Sequence, residues 1–182
     1  MITVVTGNKG KAAEVAAFFA GIEEVTSESV EMTEPQAESL EEVARAKAEQ
    51  AYALLQRPLI VDDTGLFIES LNGFPGPYAA YVQDTVGNPG ILALLSGNEN
   101  RRAYFETVIA YADESGIYTF SGRVNGNITH APRGNEGFGY DPIFSAGDKT
   151  LAEMSIAEKN TVSHRAHALI SFKEWYVSQR NG

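Results

Sequence analysis

Two long strand-forming runs, residues 101–112 and 117–125, meet at a turn over Asp113–Gly116. Runs joined this tightly must pair antiparallel, because parallel neighbours need a crossover of a dozen or more residues. Upstream the order is different: strand 2–6, helix 9–20, strand 24–31, helix 39–55, strand 58–63, strand 65–69 and helix 88–96. Downstream come short strands near 127–130 and 142–145, a short helix 155–159 and a last helix 163–179. Early alternation followed by an antiparallel pair predicts an α/β fold with a long mixed β-sheet and flanking helices.

At 182 residues and 43% hydrophobic, the chain can bury its core as one domain, 1–182, without covalent or metal staples. The absence of cysteine removes a disulfide framework, a thiol nucleophile and a Cys-type zinc site. No basic leader precedes an apolar stretch with a cleavage site, and no run approaches transmembrane length. Cytoplasm is therefore the expected location, with no membrane partner. Fourteen Lys and Arg against 24 Asp and Glu leave a formal charge of −10. A nucleic-acid polymer calls for a basic face, so none is expected as partner. A small phosphorylated ligand still fits, since a few cations gathered in one pocket can hold it.

The ends of the chain carry such cations. Thr6-Gly7-Asn8-Lys9-Gly10-Lys11 follows the apolar run Ile2–Val5 and precedes helical spacing at Val15, Phe18 and Phe19. That order reads as strand, tight turn, helix, and a helix N-terminus reached this way can hold a phosphate. The loop is neither a Walker loop nor a G-x-G-x-x-G fingerprint, and an ordinary βα turn has the same composition. Near the other end, Ser163 reads as an N-cap that places His164 and Arg165 in the first turn of the last helix, with Lys159 shortly before. In helix 39–55, Ser39 and Glu42 form a capping box, and Lys47 falls on the apolar stripe of Leu40, Val43, Ala44, Ala51, Leu54 and Leu55. An ammonium there either reaches an anion or snorkels past the stripe's edge.

Asp62-Asp63-Thr64-Gly65 closes the apolar run Leu59-Ile60-Val61. Carboxylates at the C-terminal end of a strand stand where α/β sheets place their sites. Such oxygens suit Mg²⁺, which adds phosphate oxygens of its substrate, and Glu34 could supply one more. Two caps in a polar turn would explain the pair equally well. Phe138-Gly139-Tyr140-Asp141-Pro142 sets aromatics around a glycine that permits close approach. A base can stack on such a ring, although aromatics of this kind also fill cores.

Together these segments, with Gly73-Phe74-Pro75-Gly76-Pro77-Tyr78, occur in the order found in the inosine triphosphate pyrophosphatases, and the chain resembles that family from about residue 4 to residue 169. The resemblance implies two lobes around a central nucleotide-binding cleft, usually in a homodimer. It implies Mg²⁺-dependent hydrolysis of inosine, deoxyinosine and xanthosine triphosphates to monophosphate and pyrophosphate. Thr6, Gly7, Asn8, Lys9, Gly10 and Lys11 would hold the triphosphate, helped by Lys47 and Lys159. Asp63 would be general base and metal ligand, with Glu34 and Asp62 as further metal ligands and Thr64 touching substrate. Phe138 and Gly139 would meet the purine, Tyr140 and Asp141 would line the base or ribose pocket, and His164 and Arg165 would read purine position 6.

One position departs from the family pattern: Ala80 stands where a Lys or Arg is common. Two other classes share parts of the pattern. A pyrimidine-directed relative, like the septum-associated nucleotide pyrophosphatases, would not need Ser163-His164-Arg165. A nucleotide sensor would keep the loop but not Asp62, Asp63 and Glu34.

Overall fold

The structure is a computed structural model that describes residues 1–180; the side chains of Lys9, Gly10, Ile156 and Asn160 lie outside the described residues. Eight strands form one mixed sheet in the order β2-β1-β3-β5-β6-β7-β8, with β4 paired to β3. Strand β1 (Ile2–Val5) is parallel to β2 (Val25–Glu28) and to β3 (Leu59–Ile68), as the crossover helices between them require. Strands β5 (Arg102–Asp113) and β6 (Gly116–Ile128) are the expected hairpin, turned by Glu114 and Ser115. Asp113 Oδ1 accepts the Ser115 N–H at 2.9 Å, which fixes that turn.

Contacts gather into two units. The first comprises Met1–Asp63, Thr107–Gly122 and the chain from His167 onward. Its core is Ile2, Val4, Val15, Phe19, Ile60, Ile109, Tyr111, Leu169, Phe172 and Tyr176, supplied by β1, β3, β5 and the helices α1 (Lys9–Phe19) and α6 (His164–Arg180). Helix α2 (Leu40–Leu55) begins where Ser39 Oγ accepts the Glu42 N–H at 3.3 Å. It ends at Gln56, whose left-handed φ of 47° stops the helix. Leu40, Val43, Ala44, Ala48 and Ala51 form its buried stripe, while Leu54 is left exposed.

The second unit comprises Thr64–Glu106 and Arg123–Ala166. Leu66, Ile68, Ile91, Leu95, Phe105, Ile128, Tyr140, Ile143 and Phe144 form its core. Helices α3 (Ala79–Thr85), α4 (Gly87–Leu94) and α5 (Ile156–Val162) belong to it. Ser155 and Glu158 cap α5 reciprocally.

Several boundaries differ from the sequence expectation. The two strands expected at 58–63 and 65–69 are one, because β1 pairs with Leu59 and Ile60 while β4 (Pro75–Gly76) pairs with Leu66 and Phe67. The turn-like residues between them are carried along as strand. Helix α3 was not expected: it has seven residues, no side-chain cap, and only Ala79 and Val82 buried. The short strand expected at 127–130 is the end of β6, continued by pairing with β7 (Phe144–Ala146). Gly126 permits that pairing, since a Cβ there would lie 2.1 Å from the Ser145 carbonyl oxygen. A final two-residue strand, β8 (Lys149–Thr150), pairs with β7. Among the described residues no helix is long and apolar enough to cross a membrane.

Candidate active site

In the first unit, the turn between β1 and α1 is organised by its own side chains. Thr6 Oγ1 accepts the Asn8 N–H at 3.0 Å, and Asn8 Oδ1 accepts the Lys11 N–H at 3.3 Å. Asn8 is thus the N-cap of α1. Gly7 and Asn8 are exposed, so the turn is open to solvent. The side chains of Lys9 and Gly10, expected at the triphosphate, lie outside the described residues.

Asp62 and Asp63, adjacent on β3, are taken by different lysines, as consecutive strand positions facing opposite sides require. Asp62 receives Lys11 Nζ at 3.0 and 2.9 Å on its two oxygens. Asp63 Oδ1 receives Lys47 Nζ at 3.2 Å, and the same ammonium lies 3.0 Å from Glu34 Oε1. Lys47 therefore points inward and does not snorkel. Burial drives the Asp63 carboxyl up to about 6 against the pull of Lys47, and the charges of Glu34 and Asp62 add to the rise. For Lys47 burial acts downward, but Asp63 and Glu34 outweigh it and hold the ammonium above its ordinary value. A carboxylate poised this near neutrality, beside a fixed cation, is suited to accepting a proton.

No group of three or more metal-ligating side chains converges among the described residues. Glu34 and Asp63, two hard oxygen donors meeting at one ammonium, still fit Mg²⁺, which commonly takes one or two carboxylates and completes its shell with substrate phosphate and water. Asp62 is engaged with Lys11.

The second unit assembles the other group. Phe138 is 64% exposed, whereas Tyr140 and Asp141, two and three residues on, are buried. Asp141 Oδ2 accepts the Phe138 N–H at 3.0 Å and meets Lys159 Nζ at 2.5 Å. The same ammonium lies 5.2 Å from the centre of the Phe138 ring. Gly137 makes this closure possible: its φ is +76°, and a Cβ would stand 2.1 Å from Asp141 Oδ2. Tyr140 donates its hydroxyl to the Ala79 carbonyl at 2.7 Å, and burial raises that hydroxyl to about 12. Tyr140 and Asp141 thus brace the loop from within. Ser163 caps α6 as expected, accepting the Ala166 N–H at 3.2 Å. His164, 7% exposed, stacks on Phe105 at 5.0 Å between ring centres. Arg165 follows it in the first turn and is half-buried, and Thr64 is half-buried on β3. Ala80, where a cation is common, is exposed on α3.

Two residues of this neighbourhood escaped the sequence reading. Asn88 Nδ2 donates to the Gly139 carbonyl at 3.0 Å. Buried Arg101 donates to the carbonyls of Leu95, Ile128 and Thr129 at 3.0, 2.7 and 2.8 Å. Neither lies in a recognisable motif, so no signal in the sequence pointed to them.

Residues 2–175 match the sequence model of the Ham1 family. The chain belongs to the Ham1 family. The solved Ham1 protein of Staphylococcus aureus has the same fold, with a TM-score of 0.88, 30% identity and 98% of each chain covered. Among Ham1 relatives, the dITP/XTP pyrophosphatase of Methanopyrus kandleri is 50% identical over 182 residues, covering 97% of this chain and 96% of the relative. That of Thermococcus kodakarensis is 47% identical over 177 residues, covering 96% of each.

Proposed function

We propose that this protein hydrolyses deaminated purine nucleoside triphosphates, those of inosine, deoxyinosine and xanthosine, to the nucleoside monophosphate and pyrophosphate. The observation that carries the reading is the Lys47 ammonium shared by Glu34 and the half-buried Asp63. Near-full-length identity to relatives named dITP/XTP pyrophosphatase supports the choice of substrate.

Water attacks the α-phosphorus, forming a new P–O bond, while the bond to the bridging oxygen breaks and pyrophosphate leaves. Asp63 orients that water and accepts its proton. Lys47 and Lys11 offset charge on the phosphates, with the Thr6–Lys11 turn placing its polar groups around them. Glu34 and Asp63 would hold Mg²⁺, which when bound supplies charge neutralisation for the leaving group. Asp62 keeps Lys11 in place, and Thr64 touches substrate.

In the second unit, Phe138 stacks on the purine while Asp141 and Tyr140 hold its loop. Lys159, already beside Phe138 and Asp141, acts with this group rather than with the triphosphate. His164 and Arg165 donate to the oxygen at purine position 6, where adenine would present an amino donor instead. The protein works as a cytoplasmic homodimer.

A panel of nucleoside triphosphates with Mg²⁺, followed by phosphorus NMR, tests the reading. Pyrophosphate and monophosphate should appear in equal amounts from inosine and xanthosine triphosphates, and chelation of the metal should stop turnover. Orthophosphate as first product would instead make the protein a γ-phosphatase.

A further inference from the structure

The exposed Phe138 ring has little packing of its own to fix it, so its backbone must set its position. Ties to Asp141 run within the loop: Phe138 N–H to Asp141 Oδ2 at 3.0 Å, and Asp141 N–H to the Phe138 carbonyl at 3.2 Å. They set its shape but not its placement. Placement comes from bonds to elements outside the loop: Lys159 Nζ of α5 meets Asp141 Oδ2 at 2.5 Å, the Ala152 N–H donates to the Asp141 carbonyl at 3.2 Å, and two more bonds run to α3 and α4. Tyr140 reaches the Ala79 carbonyl of α3 at 2.7 Å, and Asn88 Nδ2 of α4 reaches the Gly139 carbonyl at 3.0 Å. Gly139, at φ +60°, has none of the described residues within 4 Å of where a Cβ would be.

The orientation of the Asn88 amide is determined. Its Oδ1 is buried and accepts no hydrogen bond among the described residues, and turning the amide over would set that oxygen against the Gly139 carbonyl. The bond to the Gly139 carbonyl holds the side chain in this pose.

We infer that Asn88 is a positioning residue for the purine: through Gly139 it holds the Phe138 ring at the level where the base stacks. This rests on the proposed stacking role of Phe138. Asn88 itself touches neither substrate nor the reacting atoms.

The test is a double-mutant cycle on the full chain with Mg²⁺ and inosine triphosphate, using Asn88→Ala, Phe138→Ala and the pair. Asn88→Ala should raise KM about threefold to tenfold, the range of one lost neutral hydrogen bond, with kcat within about twofold. Asn88→Asp should raise KM further, because a carboxylate would face the Gly139 carbonyl. Inhibition by inorganic tripolyphosphate, which carries no base, should be unchanged in both. In the Phe138→Ala background, Asn88→Ala should add nothing to KM. Independent, multiplying effects of the two substitutions would overturn the inference, as would an equal weakening of tripolyphosphate. An effect of Phe138→Ala with none from Asn88→Ala removes the inference alone. No effect of Phe138→Ala on KM removes the stacking role and the inference with it.

Discussion

Lys47 Nζ and Asp63 Oδ1 stand 3.2 Å apart on side chains only 12% and 13% exposed. Enclosing two charges is costly, and their attraction offsets this only with good geometry and further partners. Glu34 supplies one such partner to the ammonium at 3.0 Å. The carboxylate has no comparable excess of cations, so burial prevails there and holds its pKa near 6.

Asp63→Asn keeps the shape of this group but cannot accept a proton. Turnover of inosine triphosphate should fall by about 10² to 10⁴. Calorimetry should still detect nucleotide binding. Turnover within about threefold of wild type would end the assignment of Asp63 as base.

Arg165→Ala tests the reading of purine position 6. The guanidinium has only donors, so it favours an oxygen over an amino group. The kcat/KM for inosine triphosphate should drop about tenfold to hundredfold, the worth of a hydrogen bond to a charged group. Adenosine triphosphate hydrolysis should change little, so the preference narrows. Equal rates on both nucleotides in the wild type would reject the roles of His164 and Arg165 together.

Arg101→Met tests a structural clamp. The buried guanidinium serves three carbonyls, those of Leu95, Ile128 and Thr129, and methionine leaves them without that donor. Unfolding in urea should show a loss of about 3 kcal/mol, since each buried group stranded costs roughly 1–3 kcal/mol and some will find water. The midpoint should fall with the slope unchanged. A midpoint equal to that of wild type would mean the clamp contributes nothing.

Glu23 gives stability a specific pH dependence. The terminal amine of Met1 is its strongest support; burial opposes, while Tyr176 and Arg180 add to the effect, and the carboxyl sits at about 2 against an ordinary 4.5. A depressed folded pKa contributes stability that is present above about pH 4.5 and lost as pH falls toward 2. Met1 and Arg180 are about half exposed, which weakens these pairs by solvent screening. Glu23→Gln should therefore cost only on the order of 1–2 kcal/mol at pH 7. Wild type and variant should converge in stability as pH approaches 2; a constant gap would show that the charge of Glu23 is not its source.

The sequence by itself determined what depends on neighbours along the chain. Ser39 and Ser163 cap the helices they were expected to cap, because a cap is a contact over three residues. The hairpin at Glu114 and Ser115 follows from its turn, and helical spacing puts Lys47 beside Val43 and Ala51, whereas its reaching Asp63 and Glu34 instead of snorkelling was settled only by the fold. Tertiary structure decided what depends on residues far apart in sequence. Asp62 and Asp63 read as one acidic pair, yet the strand sends each to a lysine on a different helix. Tyr140 and Asp141 read as pocket residues like Phe138, but only the ring of Phe138 stays exposed while the other two brace the loop. Asn88 and Arg101 carried no signal at all, because each acts by donating to carbonyls that every residue possesses, and only folding brings the particular ones within reach.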